Sequence, residues 1–531
     1  MSARVSLAFE AACFNVGGKH ADAYYGAYPT DLRVGISADG GYPVSVSDTA
    51  SSEARVGFPT RLAYGLGSIA YGVKDNGFSY FLLFFYSQVL GTPSSLTAAV
   101  IFIALIVDAI TDPIVGQFSD RLHSRWGRRH PLMYVSALPV AASFYLLWNP
   151  PSGLTGADLL PYLLVVAIAL RLAVTLYEIP STALVSEISE DYEERTALLS
   201  YRYFFQWCGG LTIGFIMYVA LLRPTTDTPN GFFNIEGYFT YGVYGGILIF
   251  ASILISSVGT HHLIPSLNSP PPKRQMKIGL IIREMSETFS NQSFLATFVA
   301  TIILGLGAAL AAALNVYFNN YFWELTPQEV GIFLLAGFLS APAAFAIARL
   351  AGRVMEKKTA ALSIAATAFV IAPSPIILRL VGWFPENDDP ALFPTLFVII
   401  AVDLSLIIAT QILLASMVAD IPEDSEIKTG RRSEGTFFAA QMFARKAVSG
   451  LGVLLAGIIL DIASFPREAG IQPDPAAANR LAMVYVPIIL AVYVLGLFAL
   501  SFYRIRRNDH LKNLETLKSQ RLAKAQAIPE N

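Results

Sequence analysis

Cysteine and histidine, which build disulfides, metal centres and many catalytic sites, are scarce in this sequence. The chain has two cysteines and six histidines among 531 residues, which excludes a disulfide framework or a cysteine-based zinc site. Every histidine falls in a predicted connection or at a predicted helix end, so a haem or zinc-peptidase site at membrane depth is not expected. No Ser–His or Cys–His pair lies at that depth either, which argues against an intramembrane enzyme.

Charge is scarce as well. Charged residues make up 14% of the chain, against about 25% in typical soluble domains. The net charge of −2 argues against nucleic acid as a partner. Hydrophobic residues reach 54% and the mean hydropathy is +0.52, so the lipid bilayer is the expected environment.

The apolar residues fall into twelve segments of transmembrane length. They cover residues 62–90, 95–118, 131–149, 159–186, 198–222, 239–263, 294–322, 328–350, 359–383, 391–419, 436–462 and 481–504. Lysine and arginine concentrate in alternate connections, so those connections and both termini are predicted to be cytoplasmic, with the protein in the inner cell membrane.

The order of the segments predicts an all-α membrane protein of two six-helix halves, residues 61–263 and 294–505. Residues 264–293 form the cytoplasmic middle loop and 506–531 a cytoplasmic tail. Residues 1–60 have no apolar block and no signal peptide; a disordered tail is expected there, with a small partner-binding segment as the alternative. The loop GQFSDRLHSRWGRRHP of the first half and the loop AGRVMEKKTA of the second half lie at corresponding places, and each contains a glycine and basic residues. This correspondence between the halves favours a major facilitator fold.

Two acids in the second segment indicate a cation site. Asp108 and Asp112 are the only charged residues between positions 97 and 117 and lie one turn apart on one helix face. A carboxylate at mid-membrane costs about 2.5–3.5 kcal/mol, and Pro113 leaves the Ala109 carbonyl without its helical donor. We expect H⁺ or Na⁺ at this pair, the metal ligands being Asp108 and Asp112 if Na⁺ is used. The alternative is two acids bonded to neighbouring helices.

Further charged residues lie within the first and fourth segments. Asp75 suits substrate hydroxyls, and Lys74 balances its charge; a structural ion pair is the alternative. Glu178 is a third acid that can reach the cation site. For Arg171, a structural and a functional role are equally open.

Polar residues elsewhere have two open interpretations each. Arg202, with Tyr203 beside it at the start of the fifth helix, either gates the inner mouth or extends its charge towards water. Asn315 and Asn319 share a helix face and either contact substrate or bond between helices. Asp403 is a candidate partner of Lys446. Residues 187–195 are interpreted as a solvated charge run of an inner loop.

A charged latch is expected between the two halves on the cytoplasmic side. Its predicted members are Asp120, Arg121, Arg128 and Arg129, facing Arg353 and Lys357.

Several motifs resemble the glycoside–pentoside–hexuronide:cation symporters of the major facilitator superfamily. They are GVKDNG, DAITDPIVG, SRWGRRHP, YEIPSTALV, SYRYFF and ADIPEDSEIKTGRRSEGTFFAAQMFARK. The resemblance spans residues 60–505. It implies cation binding by Asp108, Asp112 and Glu178, and substrate binding by Asp75, Lys74, Arg202, Tyr203, Asn315, Asn319, Gln441 and Lys446. Ser181 and Thr182 depart from the family, whose type member has an aromatic pair there that includes a sugar-stacking tryptophan.

The sequence therefore predicts a monomeric secondary transporter that works by alternating access. Its substrate is expected to be a small molecule, a sugar or glycoside, moved together with H⁺ or Na⁺ and without any other cofactor. A lysolipid or other amphipathic substrate is the alternative, because lysolipid symporters share the motifs of the first two segments. A sensor without transport is disfavoured by the retained acids.

Overall fold

The computed structural model describes residues 56–122, 124–189, 191–267, 291–421, 427, 434–465, 475–505, 512–513, 516 and 519. Most of the predicted tails and of the middle loop lies outside these residues. Over the described part the chain is helical, without strands.

Twelve long helices confirm the predicted segments within the described residues. In the first half they are α1 (residues 58–89), α2 (Ser94–Arg121), α3 (His130–Trp148), α4 (Leu159–Ile188), α5 (Tyr192–Ile216, extended by Met217–Leu221) and α6 (Ile235–His261). In the second half they are α7 (Gln292–Tyr317, extended by Phe318–Phe322), α8 (Pro327–Val354), α9 (Lys357–Ile371 and Ser374–Val381), α10 (Leu392–Ala419), α11 (Glu434–Ile462) and α12 (Pro475–Ser501).

Membrane-spanning length and apolarity are common to most of these helices. Among the described residues, ten helices are long and apolar enough to cross a membrane, and Val448–Ile462 of α11 forms a shorter apolar helix. Helix α5 starts at Tyr192 rather than at the predicted 198, because the Asp191 side chain accepts a hydrogen bond from the Glu194 amide at 2.8 Å and caps its first turn.

Helix α1 is interrupted near its middle and ends irregularly. Its α-helical pieces are Phe58–Leu66, Ile69–Asn76 and Leu82–Phe84, separated or followed by π-helical turns at Gly77–Phe81 and Phe85–Val89. Helices α5 and α7 also end in π-helical turns. Such turns are frequent at functional sites, and all of these lie towards the end of the bundle away from the basic connections.

The two halves meet at that end, which we call the closed end. There the Ser87 and Tyr317 hydroxyls lie 2.5 Å apart, and the Tyr321 hydroxyl donates to Gln88 at 2.9 Å. At the opposite end, which carries the basic connections and which we call the basic end, Val354 of α8 is exposed. The described ion pairs there join residues of the same half. The structure is therefore the conformation in which the closed end is sealed.

Candidate functional site

The paired acids of α2 lie on one face and share a hydroxyl donor from α4. The Thr175 hydroxyl oxygen is 2.9 Å from Asp108 Oδ1 and 3.1 Å from Asp112 Oδ1. It is also 3.0 Å from the Arg171 carbonyl oxygen. A hydroxyl has one proton, so Thr175 donates to one of these three acceptors at a time.

Arg171 of α4 reaches the same acids. Its Nη1 lies 3.5 Å from Asp108 Oδ2, and both side chains are buried. The guanidinium carbon stands 4.1 Å from the centre of the Phe78 ring on α1. A sequence signal existed: Arg171 and Thr175 are four residues apart, as Asp108 and Asp112 are, so two parallel helices in register bring the pairs together.

Glu178 follows Thr175 by one turn of α4 and is half-buried. Its backbone carbonyl accepts the hydroxyls of Ser181 and Thr182. Among the described residues, no group of three or more His, Cys, Asp or Glu side chains is arranged to hold a metal ion. Participation of Glu178 in the cation site stays a prediction.

The donor set can be tested for Na⁺. Carboxylate and hydroxyl oxygens from Asp108, Asp112 and Thr175 are the ligands that hard cations prefer. However, the Arg171 guanidinium already faces Asp108 Oδ2, so a positive charge stands where Na⁺ would need an oxygen. In this arrangement the residues do not fit a Na⁺ ion at Asp108.

Lys74 and Asp75 form the ion pair that was the alternative interpretation, with Lys74 Nζ 2.9 Å from Asp75 Oδ1. The Asp75 side chain is nevertheless 47% exposed, whereas that of Lys74 is 5% exposed. Gln206 of α5 donates to Asp75 Oδ2 at 3.4 Å. Asp75 thus keeps an accessible carboxylate beside a neutral donor, which suits hydroxyl recognition.

Arg202 of α5 is buried and held by four hydroxyls. It donates to those of Tyr64 (3.2 Å), Ser181 (3.1 Å), Tyr71 (3.4 Å) and Thr182 (2.9 Å). Where the family's type member has an aromatic pair, this chain thus has the two α4 hydroxyls that bind Arg202. Tyr203 points elsewhere and is 66% exposed.

The polar residues of α7 behave differently from one another. Asn319 donates to Asn315 at 2.9 Å within the helix, so neither bonds between helices through this contact. Asn320 accepts a hydrogen bond from Asn230 of the other half at 2.8 Å, a contact that the sequence did not predict. Gln441 and Lys446 lie on α11, in a stretch whose side chains are outside the described residues.

The predicted latch residues are organised around Glu187 at the basic end. Arg129 Nε and Arg128 Nη2 lie 2.8 Å and 3.0 Å from Glu187 Oε1, and Arg129 Nη2 lies 2.7 Å from Asp120 Oδ1. The Glu187 side chain is 8% exposed. The interpretation of residues 187–195 as a solvated run was therefore wrong at its first member, because two arginines enclose that carboxylate.

The remaining predicted latch residues are Arg121, Arg353 and Lys357. Arg121 and Arg353 are exposed at the ends of α2 and α8. Lys357 pairs with Asp420 of α10 at 2.7 Å. Contact between the two sets across the halves stays a prediction for another conformation.

Asp403 of α10 lies in an apolar stretch, and its suggested partner Lys446 has a side chain outside the described residues. The Asp403 Oδ1 is enclosed and accepts no hydrogen bond, and no ion pair to it is found in the part of the chain that the structure describes.

Comparison with known proteins places this site in a transporter family. A family model described as "MFS/sugar transport protein" matches residues 63–507. An uncharacterised symporter of Synechocystis is 28% identical and covers 90% of this chain and 99% of its own length. An isoprimeverose transporter of Lactiplantibacillus pentosus is 24% identical over 88% of this chain and 93% of its own.

Two further proteins are similar to this chain: a relative named for a different substrate, and a transporter whose structure has been solved. The sodium-dependent lysophosphatidylcholine symporter 1 of Xenopus tropicalis is 22% identical over 90% of this chain and 93% of its own. The crystal structure of a D-xylose-proton symporter has a TM-score of 0.55 at 13% identity, over 83% of this chain and 97% of that one. The fold is thus that of the major facilitator transporters. With most of its length matched by the family model, the chain belongs to the MFS/sugar transport protein family and is a membrane transporter.

Proposed function

We propose that this protein is a cation-coupled symporter that moves a sugar or glycoside by alternating access. The observation that carries the proposal is the pair Asp108 and Asp112, which share the Thr175 hydroxyl within the membrane. Membership of the sugar transport family and the similarity to an isoprimeverose transporter support the substrate class. The protein is proposed to work as a monomer in the inner membrane.

Coupling follows from the cost of burying an unneutralised carboxylate. Closing the two halves around a substrate removes water from the acids, and a carboxylate without a counter-charge resists that dry state. A cation held by Asp108 and Asp112, with Glu178 of α4 as the proposed third acid, removes this resistance. Asp75 then accepts substrate hydroxyls while Lys74 and Gln206 hold its two oxygens in place.

The orientation follows from the basic connections. With the basic end in the cytoplasm, the closed end faces outward, and the structure represents an inward-facing state. In the outward-facing state, the Glu187 cluster approaches Arg353 and forms the latch on the cytoplasmic side.

An amphipathic substrate is the second candidate. It is favoured by the Ser181–Thr182 pair, whose hydroxyls bind Arg202 and provide no aromatic face for stacking on a sugar ring. The similarity to a lysophosphatidylcholine symporter supports the same alternative.

The proposal is tested by substrate-triggered alkalinisation in energy-depleted cells that express the protein. Glycosides, pentosides, hexuronides and lysolipids are supplied with and without Na⁺, and uptake is followed in parallel. The sugar proposal expects one sugar class to give a signal. Silence for every sugar with uptake of a lysolipid would favour the second candidate.

Asp112→Asn tests the coupling directly. We expect it to abolish accumulation against a gradient and to leave expression intact, because an amide needs no cation for occlusion. Asp158→Asn, at an exposed acid between α3 and α4, is the control and should accumulate substrate as the wild type does. Unchanged uphill uptake by Asp112→Asn would refute the coupling role.

A further inference from the structure

The second part of helix α1 is accessible on one side only. Within residues 70–88 every residue is buried except Asp75, Asn76, Ser79 and Tyr80. Two four-residue spacings, 75 to 79 and 76 to 80, place these residues on one side of the helix. The π-helical turn Gly77–Phe81 lies within this stretch, and such turns are frequent at functional sites. Helix α1 therefore presents a polar strip that ends in an aromatic ring.

This strip faces the space between the two halves. A Cβ at Gly214 of α5 would stand 3.1 Å from Asn76 Nδ2 and 3.3 Å from Leu334 Cδ1 of α8, so α1, α5 and α8 meet beside Asn76. The Tyr80 hydroxyl lies deep in the protein, although the residue is 37% exposed. A residue that is both deep and accessible lines an internal cavity rather than the surface that faces lipid.

Tyr80 is the last accessible residue of this strip before the closed end. Residues 81–88, which follow it, are all buried. They include Ser87 and Gln88, which contact α7 of the other half. A molecule that enters from the basic end therefore meets Tyr80 at the floor of the cavity.

The ring of Tyr80 is available for a ligand. Among the described residues it contacts no other aromatic ring, and its hydroxyl makes no hydrogen bond. The adjacent Phe81, in contrast, packs on Tyr218 and Tyr241, with ring centroids 4.9 Å and 5.9 Å apart. A tyrosine combines a large apolar face with a polar group at its edge, which suits a ligand whose apolar face is bordered by hydroxyls.

We propose that Tyr80 is the platform on which the ring of a sugar stacks while Asp75 accepts the sugar's hydroxyls. This inference rests on the proposed function and specifies how the same site recognises its substrate. Asp75 and Tyr80 are about 7 Å apart along the helix axis, a separation that one sugar ring bridges. The C–H face of such a ring packs on an aromatic face, and its hydroxyls bond to the exposed Asp75 carboxylate.

The first experiment measures sugar binding to the purified full-length protein by its thermal midpoint. The probes are D-xylose, methyl β-D-galactopyranoside and D-glucuronate. At least one should stabilise the wild type, and Tyr80→Phe should need a similar concentration because it keeps the ring. Tyr80→Leu should need about tenfold more of the same sugar for half of the effect. Tyr244→Leu, at an exposed tyrosine of α6, is the matched control and should respond as the wild type does.

Two results would overturn the inference. A folded Tyr80→Leu variant that responds at the wild-type sugar concentration would show that no ring is needed at this position. A Tyr80→Phe variant that loses as much as Tyr80→Leu would show that the hydroxyl, and not the ring face, makes the contact.

A labelling experiment locates the sugar even if Tyr80→Leu folds poorly. Ser79→Cys is introduced into the full chain with Cys13 and Cys208 replaced by serine, and a water-soluble maleimide is added to the purified protein. The stabilising sugar, at ten times its half-saturating concentration, should slow modification at position 79 about tenfold. Asp158→Cys, at an exposed position between α3 and α4, should be modified equally with and without sugar. Equal modification of Ser79→Cys would place the sugar elsewhere and contradict the inference.

Failure of the proposed function would be seen in the wild type itself. No stabilisation and no uptake with any sugar would refute the sugar symporter, and a lysolipid that stabilises the wild type and Tyr80→Leu alike would favour the second candidate. Failure of the inference alone leaves the wild type responding to sugar and position 80 without effect, so the two failures are distinguishable.

Discussion

Buried charges in this chain differ in what neutralises them. Glu187 is enclosed by two arginines, Asp108 faces one, and Arg202 is held by hydroxyls and by two tyrosine rings. In the part of the chain that the structure describes, Asp403 has none of these. Because a buried ion contributes to stability only through its partners, each of these residues should respond differently to neutralisation.

Asp403→Asn is therefore expected to be at least as stable as the wild type, whereas Glu187→Gln should lose about 3 kcal/mol. Removing the charge of Asp403 breaks no ion pair among the described residues, whereas glutamine at position 187 leaves Arg128 and Arg129 with one buried acceptor fewer. Thermal midpoints of the two purified variants in the same detergent are the measurement. An Asp403→Asn variant that melts as early as Glu187→Gln would show that Asp403 has a stabilising partner.

At the scale of the helices, glycine is needed where the backbones of two helices approach each other closely. A Cβ at Gly72 of α1 would stand 2.0 Å from the Gln206 carbonyl oxygen of α5 and 2.6 Å from the Gly210 nitrogen. These are backbone atoms, so the helices themselves would have to separate. At Gly305 of α7 the nearest atom is Val448 Cγ1 at 3.5 Å, which is an ordinary contact.

We therefore expect Gly72→Ala to destabilise the protein by about 1–3 kcal/mol and to weaken substrate binding, because α1 and α5 carry Asp75 and Gln206. Gly305→Ala is the matched control in a helix interior and should be neutral or slightly stabilising, since alanine favours helix over glycine. Thermal midpoint and substrate affinity are measured for both variants. Equal behaviour of the two would mean that α1 and α5 are not in close contact at Gly72.

The helices and the paired acids were predictable because both depend on the spacing of residues within one segment of the sequence. Apolar runs of transmembrane length gave twelve helices, and a four-residue spacing gave the common face of Asp108 and Asp112. The Arg171–Asp108 contact and the enclosure of Glu187 depend on the register between helices distant in sequence, which no local pattern specifies. The π-helical turns of α1 and the cross-half role of Asn320 were missed for the same reason.

At the scale of the whole molecule, hydrogen bonds join the two halves at the closed end. Their donors and acceptors can bond to water instead when that end opens. The Ser87–Tyr317, Gln88–Tyr321 and Asn230–Asn320 contacts each connect the two halves. A hydrogen bond contributes about 1 kcal/mol net, which is modest enough for an equilibrium between two conformations. These contacts should therefore set the fraction of molecules that open outward.

Tyr317→Phe combined with Tyr321→Phe removes two of these bonds and should shift the equilibrium towards the outward-open state by about tenfold or more. The control is Tyr162→Phe, which loses a tyrosine bond to the Leu146 carbonyl within one half. The measurement is the distance distribution between spin labels at Gly153→Cys and Asp389→Cys, with Cys13 and Cys208 replaced by serine. A longer distance should grow in the double variant and not in the control, because only the double variant loosens a contact between halves. The same distribution in both would mean that the apolar contacts of the two halves, rather than these hydroxyls, keep the closed end sealed.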